Sequence, residues 1–157
     1  MALIIRDLQN KVHLENTFLS QLERITEEML KEENLSADIE VSLCFVDNHY
    51  IKDLNKQYRG KDQAADVLSF PLEEDPWEDI STEPEILLGD IVVSLEKARE
   101  QAEEAGHSIN QEVAMLFVHG FLHLLSYHHH SDEEFKLMWN KMKKIMEIIG
   151  YDVYNND

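Results

Sequence analysis

Apolar residues recur along the chain at two different spacings, and each spacing predicts a kind of element. Residues 17–33 carry apolar side chains three and four positions apart, which predicts an amphipathic helix. Residues 39–46 place large apolar side chains at every second position, which predicts a strand with one strongly buried face. A helix capped by Asp47 or Asn48 and running to about Tyr58 is expected next.

Three further segments have the length and flanking residues of short strands: residues 2–7, 67–70 and 87–94. A polar helix should follow the last of them and end at Gly106. After a predicted cap at Ser108, residues 113–125 are apolar almost all round, which is typical of a helix buried inside a domain.

The last helix should begin with a cap at Ser131 and end at Gly150. We expect its inner stripe to contain Phe135, Met138, Trp139, Met142, Ile145, Met146 and Ile149. The order of the elements predicts an α+β fold in one domain, residues 1–157, with a small mixed sheet packed against helices around a buried central helix.

Composition limits where such a chain can work. Its 157 residues are 43% hydrophobic, enough for a packed core. The single cysteine, Cys44, excludes an internal disulfide framework and fits a reducing compartment. Neither a membrane span nor a signal peptide is recognisable, so the sequence predicts a cytoplasmic protein with no membrane partner.

The net charge of −18 argues against non-specific binding to nucleic acid. Much of the acid lies in residues 73–85, which we expect to form a solvated loop. Four basic residues nevertheless gather within ten positions: Lys52, Lys56, Arg59 and Lys61. From this pattern alone they form either a local basic stripe or an ordinary solvated helix face.

Five of the eight histidines lie between positions 119 and 130. His119 and His123 are four apart, so on a helix they share one face. A third imidazole from the segment that follows would complete a three-nitrogen site with one open position, which is typical of a catalytic zinc ion. Neutral imidazoles also suit copper, nickel or iron, and the residue types do not separate these metals.

The spacing of His119, His123 and His129 is that of the metzincin proteases. Those enzymes carry a glutamate directly after the first histidine, and it acts as their general base. Here that position is Gly120, so a peptidase would lack its catalytic group.

The segment 119–129, HGFLHLLSYHH, closely resembles the H-G-x-L-H-L-x-G-Y-D-H signature of the YbeY family of bacterial rRNA-maturation endoribonucleases. Residues 54–62 with 66–71, and residues 88–94, resemble two further blocks of the same family in order and spacing. The resemblance covers nearly the whole chain. It implies a zincin-like α+β fold and a zinc-dependent endoribonuclease specific for single-stranded RNA, with no DNA substrate expected.

By position, the resemblance implies that His119, His123 and His129 bind one Zn²⁺ per chain and that Arg59 is the active-site arginine. It also implies a role in maturation of the 3′ end of 16S rRNA and in ribosome quality control, with the small subunit or a ribosomal protein as partner.

The sequence departs from the family pattern at three positions. Ser126 replaces a glycine at the exit of the helix, where a positive φ is expected. His128 replaces an aspartate that could support a ligand imidazole, and it could compete with His129 for the metal. Ala65 replaces a threonine.

A second hypothesis from another class also fits the sequence. Zinc would stabilise a ribosome-assembly factor that binds rRNA or a basic ribosomal protein and has little catalytic activity. The acidic composition favours a basic protein partner over naked RNA.

Overall fold

Four strands pair into one mixed sheet. The computed structural model describes residues 2–72 and 87–151, and within these ranges the strands are β1 (Leu3–Asp7), β2 (Glu40–Val46), β3 (Val67–Pro71) and β4 (Leu87–Ser94). Their order across the sheet is β1-β2-β4-β3; the first three are parallel, and β3 runs antiparallel to β4. The acidic loop predicted at 73–85 lies outside the described residues.

Five helices complete the described part of the chain: α1 (Asn16–Glu32), α2 (Asn48–Arg59), α3 (Leu95–Ala105), α4 (Ile109–Leu124) and α5 (Asp132–Ile149). The caps expected at Ser108 and Ser131 are confirmed, because each side chain accepts a hydrogen bond from the backbone N–H three residues on. Of the two candidates before α2, Asp47 is the cap, and its carboxylate accepts from the N–H of Tyr50 at 2.9 Å.

The strand β2 is buried on both faces, whereas its sequence pattern predicts one. Leu43 and Phe45 belong to the larger core cluster, and Cys44 and Val46 belong to a second cluster on the opposite face. Residues of α2, among them Ile51, cover this second face. Both faces are apolar because helices lie on both sides of a largely parallel sheet, as is usual for such sheets.

Helix α4 contacts β3, β4 and the helices α1, α3 and α5. Ten residues of α4 are buried, in agreement with its apolar sequence. Helix α5 covers α4 with Met138, Met142 and Ile145, as its stripe predicts. The predicted core position of Phe135 is wrong, because this side chain is 53% exposed at the first turns of α5.

The α+β class, the small mixed sheet and the buried central helix are therefore confirmed. No helix within the described ranges combines the length and apolar character needed to cross a membrane.

Candidate metal centre and active-site cavity

Three histidines bring their ring nitrogens to one point. His119 and His123 lie one turn apart near the end of α4, and their Nε2 atoms are 2.9 Å from each other. His129 follows the helix, and its ring centroid is 5.8 Å from that of His119 and 5.4 Å from that of His123. One ligand atom from each of the three lies within 4.8 Å of the other two.

The backbone fixes the tautomer of His123. Its Nδ1 lies 3.0 Å from the carbonyl oxygen of Tyr127. A carbonyl can only accept, so Nδ1 carries the proton and the neutral ring presents an unprotonated Nε2 to His119. This is the arrangement by which metal-binding histidines are usually oriented, with the second nitrogen donating to a carbonyl or carboxylate.

Burial keeps both helical imidazoles neutral. It lowers the pKa of His119 to about 4, and the neighbouring His123 adds to the effect. Burial also lowers the pKa of His123, against the opposing influence of its hydrogen bond to the Tyr127 carbonyl. Neutral imidazole is the form that binds a metal ion.

The donor set fits a metal ion such as zinc. Zinc binds imidazole nitrogen at about 2.0–2.1 Å, so two ligands of one ion lie at most about 4.2 Å apart. The 2.9 Å between the Nε2 atoms of His119 and His123 meets this limit. Two half-buried rings that face each other through these atoms are explained more simply by a shared ion than by packing.

The carbonyl that orients His123 belongs to Tyr127, whose side chain contacts the residue after α1 and a residue of α5. The Tyr127 hydroxyl donates to Glu33 Oε1 at 2.8 Å, and Lys141 Nζ donates to Glu33 Oε2 at 2.9 Å. The ammonium group of Lys141 also lies 5.1 Å from the centre of the Tyr127 ring. Burial alone would raise the pKa of Glu33, but the hydrogen bonds from Lys141 and Tyr127 outweigh it, so the net pKa is lowered. We call Glu33, Tyr127 and Lys141 the tyrosine clamp.

A tight turn carries the chain from α4 to the third histidine. Ser126 adopts a φ of 72°, the left-handed conformation expected from the glycine that the family has here. His128 lies beside the cluster: its ring is 6.1 Å from that of His123 and stacks on His130 at 5.4 Å. In the described ranges, the group of potential ligand atoms contains His129 and neither of these two neighbours.

Gly120 is required by the packing of α4 on the sheet. A Cβ at this position would lie 2.8 Å from Ile91 Cγ2 and 3.1 Å from Val67 Cγ2. The Ser69 hydroxyl donates to the Gly120 carbonyl at 2.8 Å, which ties β3 to the helix between the two histidines. A glutamate, as in the metzincins, has no room here.

Arg59 ends α2 and lies at the same cavity as the histidines. Its Nη2 donates to the carbonyl of Ser69 at 2.8 Å, and its guanidinium lies 5.0 Å from the centre of the Phe70 ring. A cavity of about 370 Å³ is lined by Arg59, Asp66, Val67, Leu68, Ser69, Pro71, His119, His123 and His128. We call it the arginine cavity. A fixed, permanently charged guanidinium thus shares one cavity with the histidine cluster.

Two aspartates of the family-like blocks, Asp66 and Asp90, have different surroundings. Asp66 lines the arginine cavity, where its carboxylate accepts hydrogen bonds from the N–H of Val67 at 2.7 Å and from Gln101 at 3.3 Å. Asp90 is buried in β4, and it is absent from the described lining of that cavity.

Sequence patterns missed the tyrosine clamp and the hydrogen bond from Ser69 to Gly120. Tyr127 and Glu33 are 94 positions apart, and no local spacing relates them. The proximity of Arg59 to the histidines was implied only by the family resemblance.

Comparisons with known proteins agree with this geometry. The family model described as Endoribonuclease YbeY matches residues 4–150. A protein from Desulforamulus reducens named Endoribonuclease YbeY is 46% identical over 150 residues, covering 96% of this chain and 98% of its own. A protein of the same name from Caldanaerobacter subterraneus subsp. tengcongensis is 53% identical over 129 residues, covering 77% and 80% respectively.

A solved structure is similar as well. The solution structure of TM1509 from Thermotoga maritima matches with a TM-score of 0.64 at 32% identity, covering 94% of this chain and 88% of its own. Family model, relatives and fold agree, and the chain belongs to the Endoribonuclease YbeY family.

Proposed function

We propose that this chain is a zinc-dependent endoribonuclease specific for single-stranded RNA. In this proposal it works in the cytoplasm, in maturation of the 3′ end of 16S rRNA and in ribosome quality control, with the small ribosomal subunit or one of its proteins as partner. The observation that carries the proposal is the arginine cavity, in which Arg59 and the cluster of His119 and His123 line one space.

The residues of the cavity divide the work of phosphodiester cleavage. His119, His123 and His129 would hold the metal ion. When bound, a zinc ion supplies Lewis acidity toward the phosphodiester and lowers the pKa of a nearby water molecule. Arg59 offers N–H donors to the non-bridging oxygens of the scissile phosphate and to the charge that develops there, because its carbon and nitrogens form a rigid planar fork.

The exposed face of α2 supports an RNA substrate. Lys56 and Arg59 are three positions apart in the last turn of α2, and Lys61 follows shortly after the helix. Lys52 precedes them on the same helix and forms an ion pair with Asp62 at 3.9 Å. These basic residues would contact phosphates of a strand that enters the arginine cavity. The rest of the surface is acidic and would disfavour binding of RNA at other places.

Cleavage of a labelled single-stranded RNA by zinc-loaded protein tests the proposal. Arg59→Ala should lower kcat/KM by at least about 100-fold, the lower end of the effect of removing one preorganised hydrogen-bond donor to the transition state. Arg99→Ala is the matched control: Arg99 also donates to a backbone carbonyl, that of Lys11 at 3.3 Å, and it is outside the described lining of the cavity. The control should cleave like the wild type, and DNA of the same sequence should stay intact.

The assembly-factor hypothesis predicts a different result. Wild-type protein, Arg59→Ala and His123→Ala would then show the same trace of cleavage. Loss of folding in His123→Ala would further indicate that zinc has a structural role.

A further inference from the structure

A second cavity also reaches the histidines, and Arg59 is absent from its described lining. It has a volume of about 230 Å³ and is lined by Glu112, Met115, Leu116, His119, His129, Phe135, Met138, Trp139 and Met142. We call it the apolar cavity. It lies between α4 and α5 and shares His119 with the arginine cavity. Because His119 lines both cavities, a nucleotide next to one whose phosphate binds beside Arg59 would lie close to the apolar cavity.

Two aromatic side chains form part of its wall on α5. Phe135 and Trp139 are four residues apart, so they project from the same face of the helix. Trp139 is partly buried against the core, whereas Phe135 is 53% exposed. The Phe135 ring therefore has an apolar face beside the cavity that other described residues do not fully cover. Stacking on such faces is how proteins hold unpaired bases of RNA.

The charges around the cavity favour a base over a phosphate. The first turn of α5 carries Asp132, Glu133 and Glu134, which would repel the RNA backbone. Glu112 contributes a buried carboxylate to the lining, and this carboxylate is paired with the ring of His107 at 2.6 Å. A carboxylate can accept an N–H from the edge of a base, as in the recognition of cytosine N4 by acidic side chains.

The geometry points to a nucleobase-binding subsite: the apolar cavity receives one unpaired base of the RNA, stacked against Phe135 and Trp139, next to the phosphate held beside Arg59. This inference rests on the proposed function, because it places the base relative to the scissile bond. The subsite would also explain selectivity for single strands, since a base paired in a duplex cannot leave its stack without losing its partner.

Kinetics with a series of RNA substrates tests the subsite. Each substrate is single-stranded and carries one abasic ribonucleotide at a different position around the scissile bond. For the wild type, one abasic position should raise KM by about 10-fold, within the range measured for losing one base–aromatic stack. With Phe135→Ala the KM for the intact substrate should rise, and the abasic position should then add less than it does in the wild type, because only Trp139 is left for the base to stack on. Leu137→Ala is the matched control, because Leu137 is 51% exposed on the same helix and is not in the described lining of the cavity.

Fluorescence separates the subsite from the activity. In a Trp77→Phe background, Trp139 is the remaining tryptophan, and single-stranded RNA should quench it. RNA with the abasic position should quench it less. If the wild type cleaves RNA but Phe135→Ala behaves like Leu137→Ala, the subsite is refuted and the proposed function stands. If the wild type does not cleave but base-dependent quenching persists, the proposed function fails and the subsite stands.

Other occupants would give other signals. Quenching by a Lys- and Arg-rich peptide and not by RNA would overturn the base assignment in favour of a protein partner. A dimer in solution that dissociates in Phe135→Ala would overturn it in favour of a second copy of this chain.

Discussion

The tyrosine clamp predicts that metal affinity depends on a hydroxyl group that cannot reach the metal. Tyr127→Phe removes the hydrogen bond from Tyr127 to Glu33 and leaves the ring beneath Lys141. The clamp positions the Tyr127 carbonyl, and that carbonyl orients His123. Loosening it should let the imidazole of His123 rotate, so that fewer molecules present Nε2 to the ion.

The structure offers a matched control for this change. The Tyr151 hydroxyl donates to Gln21 Oε1 at 3.0 Å, so it also ties the C-terminal part of the fold to α1, but it does not touch the turn that carries the histidines. A hydrogen bond to a charged partner contributes about 1.5–3 kcal/mol and one to a neutral partner about 0.5–1.5 kcal/mol. Because Lys141 still pairs with Glu33, we expect the two variants to lose similar stability, about 1–1.5 kcal/mol each.

Zinc affinity should separate the two variants. Residues that hydrogen-bond to a ligand histidine typically contribute 10- to 100-fold to metal affinity. Because Tyr127→Phe retains the carbonyl itself, it should lower the affinity for zinc by about 10-fold. Tyr151→Phe should bind zinc like the wild type. Calorimetric titration of demetallated protein with zinc measures both. Equal affinities in the two variants would refute the link between the clamp and His123.

The stability loss in Tyr127→Phe should also depend on pH. The pKa of Glu33 is lowered from its ordinary value of 4.5, so the clamp's contribution to stability is present above that value. It is lost as the pH falls through the lower pKa of the folded state. Urea unfolding should show that the variant and the wild type differ clearly in free energy of unfolding at pH 7 and differ less at pH 3.

Three further experiments test the packing of α4, the turn at Ser126 and the face of the sheet that α2 covers. Gly120→Ala would place a methyl group 2.8 Å from Ile91 Cγ2. Overpacking of about 1–3 kcal/mol should outweigh the helix-propensity gain of about 1 kcal/mol, and urea unfolding showing a more stable variant would contradict this packing. Ser126→Gly should stabilise the protein by about 0.5–1 kcal/mol in the same assay, because it relieves the positive φ of 72°; a loss of stability would count against that strain. Cys44 is fully buried, and burial raises its pKa to about 11, so a thiol reagent at pH 8 should modify it only in unfolded protein. Rapid modification of the native protein would show that the face covered by α2 opens readily.

Local sequence signals predicted the elements well, because caps and apolar spacing act within a few residues. Ser108 and Ser131 cap the helices as expected, and the apolar run after Ser108 forms the buried helix α4. The left-handed turn at Ser126 follows from the family pattern, and its φ of 72° confirms it.

Contacts between distant elements could not be predicted in this way. The second buried face of β2 depends on α2 packing over Cys44, and the strand pattern alone does not contain that information. Phe135 satisfies the helical spacing of the core stripe, but α5 extends beyond the core at its first turns, so the ring remains exposed. The tyrosine clamp joins the residue after α1, the turn after α4 and helix α5 through side chains far apart in the chain.

Zinc titration of the histidine variants tests the central claim most directly. Demetallated wild-type protein and His128→Ala should each bind one zinc ion per chain with similar affinity, because the His128 ring lies outside the group of ligand atoms. His129→Ala removes one of three ligands and should lower the affinity for zinc by at least about 100-fold. Undiminished binding by His129→Ala, or no binding of zinc by the wild type, would contradict the assignment of His119, His123 and His129 as the metal site.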